Sequence, residues 1–224
     1  MELRAYQQDA VDGVFKSWQG FDRVLGVAPT GSGKTIIFAD GAARGLAADG
    51  GRTLILAHRD ELVNQAINKI EQCTGIVASK EKAELFASRE APIVVASVQS
   101  LRPDRLHTWP RDHFARMIID EAHHSLADSY ARVIDWFRDS KLLGVTATPD
   151  RGDERNLATV FEDVAFEIGL IDLIKSGYLC PIKVETIPLK IDIRDVKTVA
   201  GDYSADDRQS VCNSVNARLE MRLR

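Results

Sequence analysis

Short apolar runs, separated by longer amphipathic or polar stretches, set the pattern of the chain. These runs contain few polar residues and do not alternate between apolar and polar positions. They are Arg23–Ala28, Thr53–Ala57, Ile93–Ser97, Arg116–Ile119 and Leu142–Thr146. Runs of this kind are typical of strands that are buried on both faces of a parallel sheet.

Helical periodicity occurs between these predicted strands. In Asp60–Gln72, five apolar residues fall on one stripe of a helix: Leu62, Val63, Ala66, Ile67 and Ile70. A second short helix is predicted over Gly169–Ser176, because its apolar run ends at Gly177, a residue type that favours helix termination. The alternation of strands and helices predicts an α/β domain, with a mostly parallel central sheet and helices on both faces.

The domain organisation follows from a change in composition. Residues 191–224 are richer in Asp and poorer in strand and helix signals than the preceding chain. We therefore expect a main domain over residues 1–190 and a connector or tail over residues 191–224. The last residues include three arginines and no helix-stop signal, so we expect the chain to continue in a longer protein.

Composition and charge exclude several classes of protein. With 224 residues, a net charge of −4 and a pI near 5.8, the chain is not a strongly basic protein that coats nucleic acid. No apolar run approaches the roughly 20 residues of a membrane-spanning helix. The first nine residues include two acids and no apolar signal core, so we do not expect secretion. The cysteines (Cys73, Cys180 and Cys212) lack CxxC spacing, which excludes a Cys-based zinc ribbon. We expect a cytoplasmic protein without membrane contact.

A glycine-rich loop directly follows the first predicted strand and opens a helix. Ala28–Thr35 reads APTGSGKT, the Walker A pattern with Ala in place of its first Gly. Lys34 is expected to reach the β- and γ-phosphates of a nucleotide, and the Thr35 hydroxyl to bind Mg²⁺. The predicted phosphate-binding residues are Thr30, Gly31, Ser32, Gly33, Lys34 and Thr35. The alternative is a glycine-rich turn before an ordinary helix.

Two carboxylates follow the fourth predicted strand. Asp120 and Glu121 come directly after the apolar run, at the sheet edge where open α/β sheets bind ligands. Asp120 is expected to hold Mg²⁺, and Glu121 to orient and polarise the attacking water. His123 is expected to couple this site to the rest of the protein, whereas His124 is expected to be a surface residue. The alternative is an acidic pair that caps the next helix.

Taken together and in this order, these motifs resemble those of the DEAD/DEAH-box helicases and translocases of superfamily 2. The similarity lies in their first RecA-like lobe, a P-loop NTPase domain, and covers roughly residues 3–151. Besides the phosphate loop and Asp120–His123, which reads DEAH, the similarity covers four further segments: Leu3–Gln7, Leu54–Leu62, Val95–Leu101 and Gly144–Pro149. Among branches of the superfamily, the chain looks most like restriction-enzyme Res subunits and RadD-like DNA repair helicases.

This resemblance implies that the residues upstream of the phosphate loop bind the base of ATP. Arg4 and Tyr6 would flank the adenine ring, and Gln7 would read its edge, since an amide can both donate and accept. The alternative for Leu3–Gln7 is the start of an amphipathic helix that carries a few polar residues.

The resemblance also implies nucleic-acid contacts and coupling. His58 and Arg59 would contact the nucleic-acid backbone, as would Ser97 and Gln99. Alternatively, Arg59 pairs with a nearby acid, and Ser97 and Gln99 end a strand and cap a helix. Thr146 and Thr148 would couple hydrolysis to nucleic-acid binding. A basic segment over residues 102–116 forms either one wall of a nucleic-acid groove or a solvated connection.

The function implied is that of an ATP-binding and hydrolysing motor lobe, with Mg²⁺ as cofactor, acting on DNA, with RNA left open. Such a motor needs a second RecA-like lobe, in cis or in trans, to supply an arginine finger. Nothing after residue 151 matches that element, so we expect slow hydrolysis by these residues alone. The alternatives are an ATP-dependent nucleic-acid-binding switch or scaffold without translocation, and a small-molecule P-loop kinase.

Overall fold

The computed structural model describes residues 3–57, 60–147 and 157–182, together with a strand pair at 198–199 and 202–203. The helices of the first compact unit, Met1–Cys180, are α1 (Ala5–Ser17), α2 (Lys34–Asp49), α3 (Asp60–Thr74), α4 (Pro103–Leu106), α5 (Asp128–Trp136) and α6 (Leu170–Lys175). Its strands are β1 (Arg23–Val27), β2 (Thr53–Ala57), β3 (Ser79–Glu81), β4 (Ile93–Ser97), β5 (Arg116–Asp120), β6 (Lys141–Thr146) and β7 (Asp163–Glu167).

A seven-stranded sheet organises this unit, in the order β3-β4-β2-β5-β6-β1-β7. Every pairing in it is parallel, so the carboxyl ends of all seven strands lie along one edge. The five predicted strands are confirmed within one residue at each end, and so are the two predicted helices, α3 and α6, within about two residues. The predicted α/β class is also confirmed.

Two strands of the sheet were not predicted, and both lie at its edges. β3 has three residues, Ser-Lys-Glu, and none is apolar. β7 exposes Val164 and carries an acidic residue at each end. An edge strand has one pairing partner and a partly solvated surface, so it need not show the unbroken apolar run of a central strand.

The core forms two layers, one on each face of the sheet. In β2, Ile55 packs in the layer that contains α1, α2 and α3, whereas Leu54 and Leu56 pack in the opposite layer with α5. β5 alternates in the same way, with Ile118 on one side and Met117 on the other. Burial on both faces explains why the central strands read as continuous apolar runs.

Two glycines inside strands make room for aromatic rings. A Cβ at Gly26 in β1 would overlap the ring of Phe166 in β7. In the same way, a Cβ at Gly144 in β6 would overlap the ring of Phe161. These glycines let the sheet pack closely against large side chains from the last part of the lobe.

The second compact unit covers Pro181–Arg224, and in it the structure describes only residues 181–182 and the antiparallel pair β8 (Thr198–Val199) and β9 (Asp202–Tyr203). The domain boundary predicted near residue 190 lies outside the described residues. Among the helices of the described ranges, none combines the length and the hydropathy that a membrane crossing requires.

The Phe166 ring occupies the space that a side chain at Gly26 would need, and this leads to a prediction on stability. Gly26→Ala should lower the free energy of unfolding by about 1–3 kcal/mol, because the new methyl group overpacks against Phe166. Gly41→Ala is the matched control. Gly41 is buried in α2, yet a Cβ there would meet nothing within 4 Å. Gly41→Ala should leave the free energy of unfolding unchanged or raise it by up to about 1 kcal/mol, because Ala favours a helix more than Gly does. Urea unfolding of both variants is the measurement, and equal effects would contradict the overpacking account.

Candidate active site

The phosphate loop connects the end of β1 to the start of α2. Gly31 and Gly33 both adopt the left-handed region, with φ of 86° and 83°. A Cβ at Gly33 would also approach the side-chain nitrogen of Gln7 to 2.6 Å. Glycine is therefore required at this position by both conformation and space. The first N–H groups of α2 have no acceptor within the helix, so they are available to an anion in the loop.

Lys34 and Glu121 face each other across one cleft. The Lys34 Nζ lies 4.0 Å from Glu121 Oε1 and 3.4 Å from the carbonyl oxygen of Ala28. The cleft has a volume of about 480 Å³ and is also lined by Thr35 and Asp120. The two predicted halves of the catalytic site thus meet at the same edge of the sheet. They do so because β5 and β1 both pair with β6.

Asp120 is partly buried, and its negative charge is only partly balanced. Burial raises the pKa of Asp120, as does the neighbouring charge of Glu121, while Lys34 acts in the opposite direction. Mg²⁺ in nucleotide sites binds one or two protein oxygens together with phosphates and water. The carboxylate of Asp120 and the hydroxyl of Thr35, in one cleft, fit that chemistry.

The residue after Asp120 has an unusual backbone conformation. Glu121 has a φ of 59°, and its N–H donates to the Asp120 carboxylate over 3.1 Å. Such a conformation costs energy for a non-glycine residue and often occurs at functional sites. It ends β5 abruptly and directs the chain into the 3₁₀ turn Ala122–Leu126.

The two histidines of that turn lie in different surroundings. The His123 Nδ1 is 3.6 Å from Glu121 Oε2, which places its ring beside the predicted water-orienting carboxylate. The His124 ring lies 4.2 Å from that of His123 and stacks towards Tyr130. The ring of His123 thus lies beside the site, and the partly buried ring of His124 lies next to those of His123 and Tyr130.

Thr146 ends β6, which lies between β1 and β5, the strands that precede the phosphate loop and the acidic pair. Its carbonyl oxygen accepts a hydrogen bond from the Ala28 N–H, at the first residue of the phosphate loop, over 2.9 Å. Its side chain is fully buried. The predicted coupling residue is therefore attached to the phosphate loop by a main-chain contact. Thr148, the other predicted coupling residue, lies outside the described residues.

The residues upstream of the phosphate loop form hydrogen bonds to it. Gln7 is 3% exposed, donates to the Ser32 carbonyl oxygen over 3.2 Å and accepts from the Arg4 N–H over 3.0 Å. Tyr6 donates its hydroxyl to the same Ser32 oxygen over 2.7 Å. In this structure both hydrogen-bonding ends of the Gln7 amide contact the protein, so Gln7 positions the loop.

The predicted nucleic-acid contacts are only partly described. Ser97 is buried at the end of β4, and Gln99 is exposed in the following 3₁₀ turn. Both lie at the carboxyl edge of the sheet, as the active site does. The side chains of His58 and Arg59 lie outside the described residues.

Two arginines of the basic segment 102–116 serve the fold. Arg116 is buried and pairs with Asp49. Arg105 pairs with the buried carboxylate of Glu81 and donates to the carbonyl oxygens of Ala83 and Leu85. These side chains hold loops together, so this segment does not form a continuous basic wall for nucleic acid.

Two residues that the sequence did not indicate also line the cleft. Gln65 and Lys69 project from α3 and lie one helical turn apart. That i, i+4 spacing of two polar residues, in a helix beginning after the carboxyl end of β2, is the signal that would have identified them.

Fold and site together define a P-loop nucleoside triphosphatase domain with a RecA-like sheet. The sequence model of the family described as "Type III restriction enzyme, res subunit" matches residues 1–151. The chain belongs to this family, and it is a first RecA-like lobe of the kind found in superfamily 2 helicases and translocases.

Relatives and solved structures agree with this assignment. The chain is 32% identical to the ATP-dependent helicase IRC3 of Saccharomyces cerevisiae over 231 residues, covering 95% of this chain and 33% of that protein. It is also 32% identical to the mitochondrial ATP-dependent helicase irc3 of Schizosaccharomyces pombe, covering 86% of this chain and 34% of that protein. The chain thus spans about a third of the length of these relatives.

A solved structure with the same fold is that of the type ISP restriction-modification enzyme LlaGI in complex with a DNA substrate mimic. Its TM-score is 0.64 at 18% sequence identity, and the match covers 80% of this chain and 21% of that chain. At this identity the comparison establishes the fold.

The partly buried charge of Asp120 leads to a prediction on pH. The ordinary pKa of an aspartate is 3.8, and the pKa of Asp120 is raised in the folded state. Above pH 3.8 the carboxyl of Asp120 therefore loses its proton more readily in the unfolded state, so the free energy of unfolding falls as the pH rises. Asp120→Asn should therefore stabilise the free protein at pH 7, and the gain should disappear below pH 3.8.

Asp49→Asn is the matched control with the opposite sign. A hydrogen bond from Arg116 lowers the pKa of Asp49, so its ionised form stabilises the fold. This variant should lose stability at pH 7 and little at low pH. Urea unfolding between pH 3 and pH 7 measures the free energy of unfolding of both variants. A change of the same sign in the two variants at pH 7 would contradict these opposite effects of the two carboxylates.

Proposed function

We propose that this lobe binds ATP with Mg²⁺ and hydrolyses it to drive movement on DNA. The observation that carries the proposal is the cleft in which Lys34 and Glu121 lie 4.0 Å apart, beside Thr35 and Asp120. Lys34 binds the β- and γ-phosphates, and the loop N–H groups at the start of α2 bind phosphate oxygens. Thr35 and Asp120 hold the Mg²⁺, which neutralises charge on the phosphates.

Hydrolysis then requires a water aligned with the γ-phosphate. Glu121 is the group that orients this water and accepts its proton, since its carboxylate is one-third exposed and faces the cleft. In the free protein Glu121 also balances the charge of Lys34. Phosphate binding by Lys34 leaves the carboxylate available to the water.

Glu121→Gln tests this assignment. The variant should still bind ATP but hydrolyse it at least about 10²-fold more slowly, because the amide cannot accept the proton. Single-turnover hydrolysis and equilibrium ATP binding are the two measurements. Glu71→Gln is the matched control, since Glu71 is an exposed residue of α3 outside the cleft, and it should behave like the wild type. A Glu121→Gln rate equal to that of the wild type would remove the catalytic role.

The second part of the proposal concerns the second lobe. An arginine finger from another lobe contributes about 10³–10⁵ to the rate of such reactions. The 224 residues alone should therefore bind ATP and hydrolyse it slowly. Their contact with DNA should be weak and should fall steeply with salt, because phosphate contacts dominate the affinity.

ATPase rates with and without duplex DNA, at low and moderate salt, measure this second part. Strong DNA stimulation of these residues alone would contradict it. In the full-length protein, DNA-stimulated hydrolysis is the expected result for a motor. Its absence there would favour the ATP-dependent binding switch instead.

A further inference from the structure

An aromatic side chain outside the catalytic motifs lies beside the phosphate loop. After α6 the chain turns at Gly177, whose φ is 72°, and runs back towards the loop. Tyr178 follows this turn, and its side chain remains 40% exposed. Neither the catalytic cleft nor the core uses this ring.

Two contacts join the Tyr178 ring to the residues upstream of the loop. The ring centroid of Tyr6 lies 5.0 Å away in an edge arrangement, and the guanidinium carbon of Arg4 lies 4.9 Å from the Tyr178 centroid. Tyr6 in turn donates to the Ser32 carbonyl oxygen of the loop. One face of Tyr178 is thus covered by a planar cation, next to the loop that is to hold the triphosphate.

The main chain keeps this ring in place. The N–H groups of Tyr178 and Leu179 both donate to the Leu173 carbonyl oxygen, over 2.9 and 3.1 Å. A methyl group of Leu179 packs on the phosphate loop, only 3.1 Å from where a Cβ of Gly31 would lie. The main chain of Tyr178 is thus anchored beside the phosphate loop, while its ring remains partly exposed.

A nucleobase is the ligand that suits this position. Aromatic rings and guanidinium planes stack on bases, and one stacked base is worth about 1–3 kcal/mol. The present gap of 4.9 Å is too narrow for a base between the two groups, since two stacking contacts require roughly 7 Å. Binding must therefore move the exposed Arg4 side chain away from the ring, whereas the anchored main chain retains Tyr178.

We propose that Tyr178 is a base-binding residue, on which the base of the bound nucleotide stacks after displacing the Arg4 guanidinium. This inference rests on the proposed ATP function, which places the triphosphate in the loop. It adds to the adenine site a residue that lies more than 140 positions after the phosphate loop in the sequence.

The test compares two ligands that share the phosphates and differ in the base. ATP and inorganic tripolyphosphate, each with Mg²⁺, are titrated by calorimetry into the wild type and into variants of Tyr178. Tyr178→Ala should weaken ATP binding about tenfold or more and change tripolyphosphate binding less than about twofold. Tyr178→Phe should retain the affinity for ATP, because the ring is preserved. Phe21→Ala is the matched control, as Phe21 has a similar exposed fraction of 42%, and it should change neither affinity.

Each other outcome has a definite meaning. Equal weakening of ATP and tripolyphosphate by Tyr178→Ala would show that the residue only supports the loop, and would overturn the inference. Unchanged ATP binding by this variant would overturn it as well. If the wild type binds ATP no more tightly than tripolyphosphate, the base adds nothing to the affinity. This result would overturn the proposed base contact without contradicting the phosphate site. A wild type that binds neither ligand would overturn the proposed function, and this inference with it.

Discussion

The structure depends on one constraint, that all strands of the sheet run in the same direction and end at the same edge. This constraint brings together residues that are far apart in the chain. The ammonium group of Lys34, at the start of α2, meets the carboxylate of Glu121 after β5. Without the intervening strand β6, the phosphate loop and the acidic pair would share no common support. The sheet therefore positions the site, and α2 supplies Lys34 and Thr35 to it.

The site also opposes the stability of the lobe. A partly buried carboxylate, a second carboxylate beside it and a strained backbone at Glu121 are each unfavourable for stability. Lys34 offsets part of this cost in the free protein. Under the proposed function, a nucleotide would take over the lysine and a divalent cation would become the partner of Asp120, so cation and nucleotide are expected to bind together.

Much of the fold could be predicted from the sequence, because central strands that are buried on both faces leave unbroken apolar runs such as Thr53–Ala57. The edge strands β3 and β7 leave no such run. Lys34, Thr35, Asp120 and Glu121 could be predicted because their chemistry requires fixed residue types at fixed local spacing. Tyr178 could not, since its contact with Arg4 depends on a turn and on packing between distant segments. Arg116 was placed in a basic segment because the sequence does not show that Asp49 is its partner.

The position of β1 within the sheet has a consequence for how the protein is made. Both neighbours of this first strand, β6 and β7, come from the last part of the lobe. A growing chain that has reached Asp120 can pair β3, β4, β2 and β5, yet β1 still has no neighbour in the sheet. Such late, long-range pairing slows folding, because the chain loses the conformational entropy of a long loop before the stabilising contacts between the strands form. Under the proposed function, nucleotide can therefore stabilise the chain only once β6 is in place, that is, after Thr146 has been synthesised.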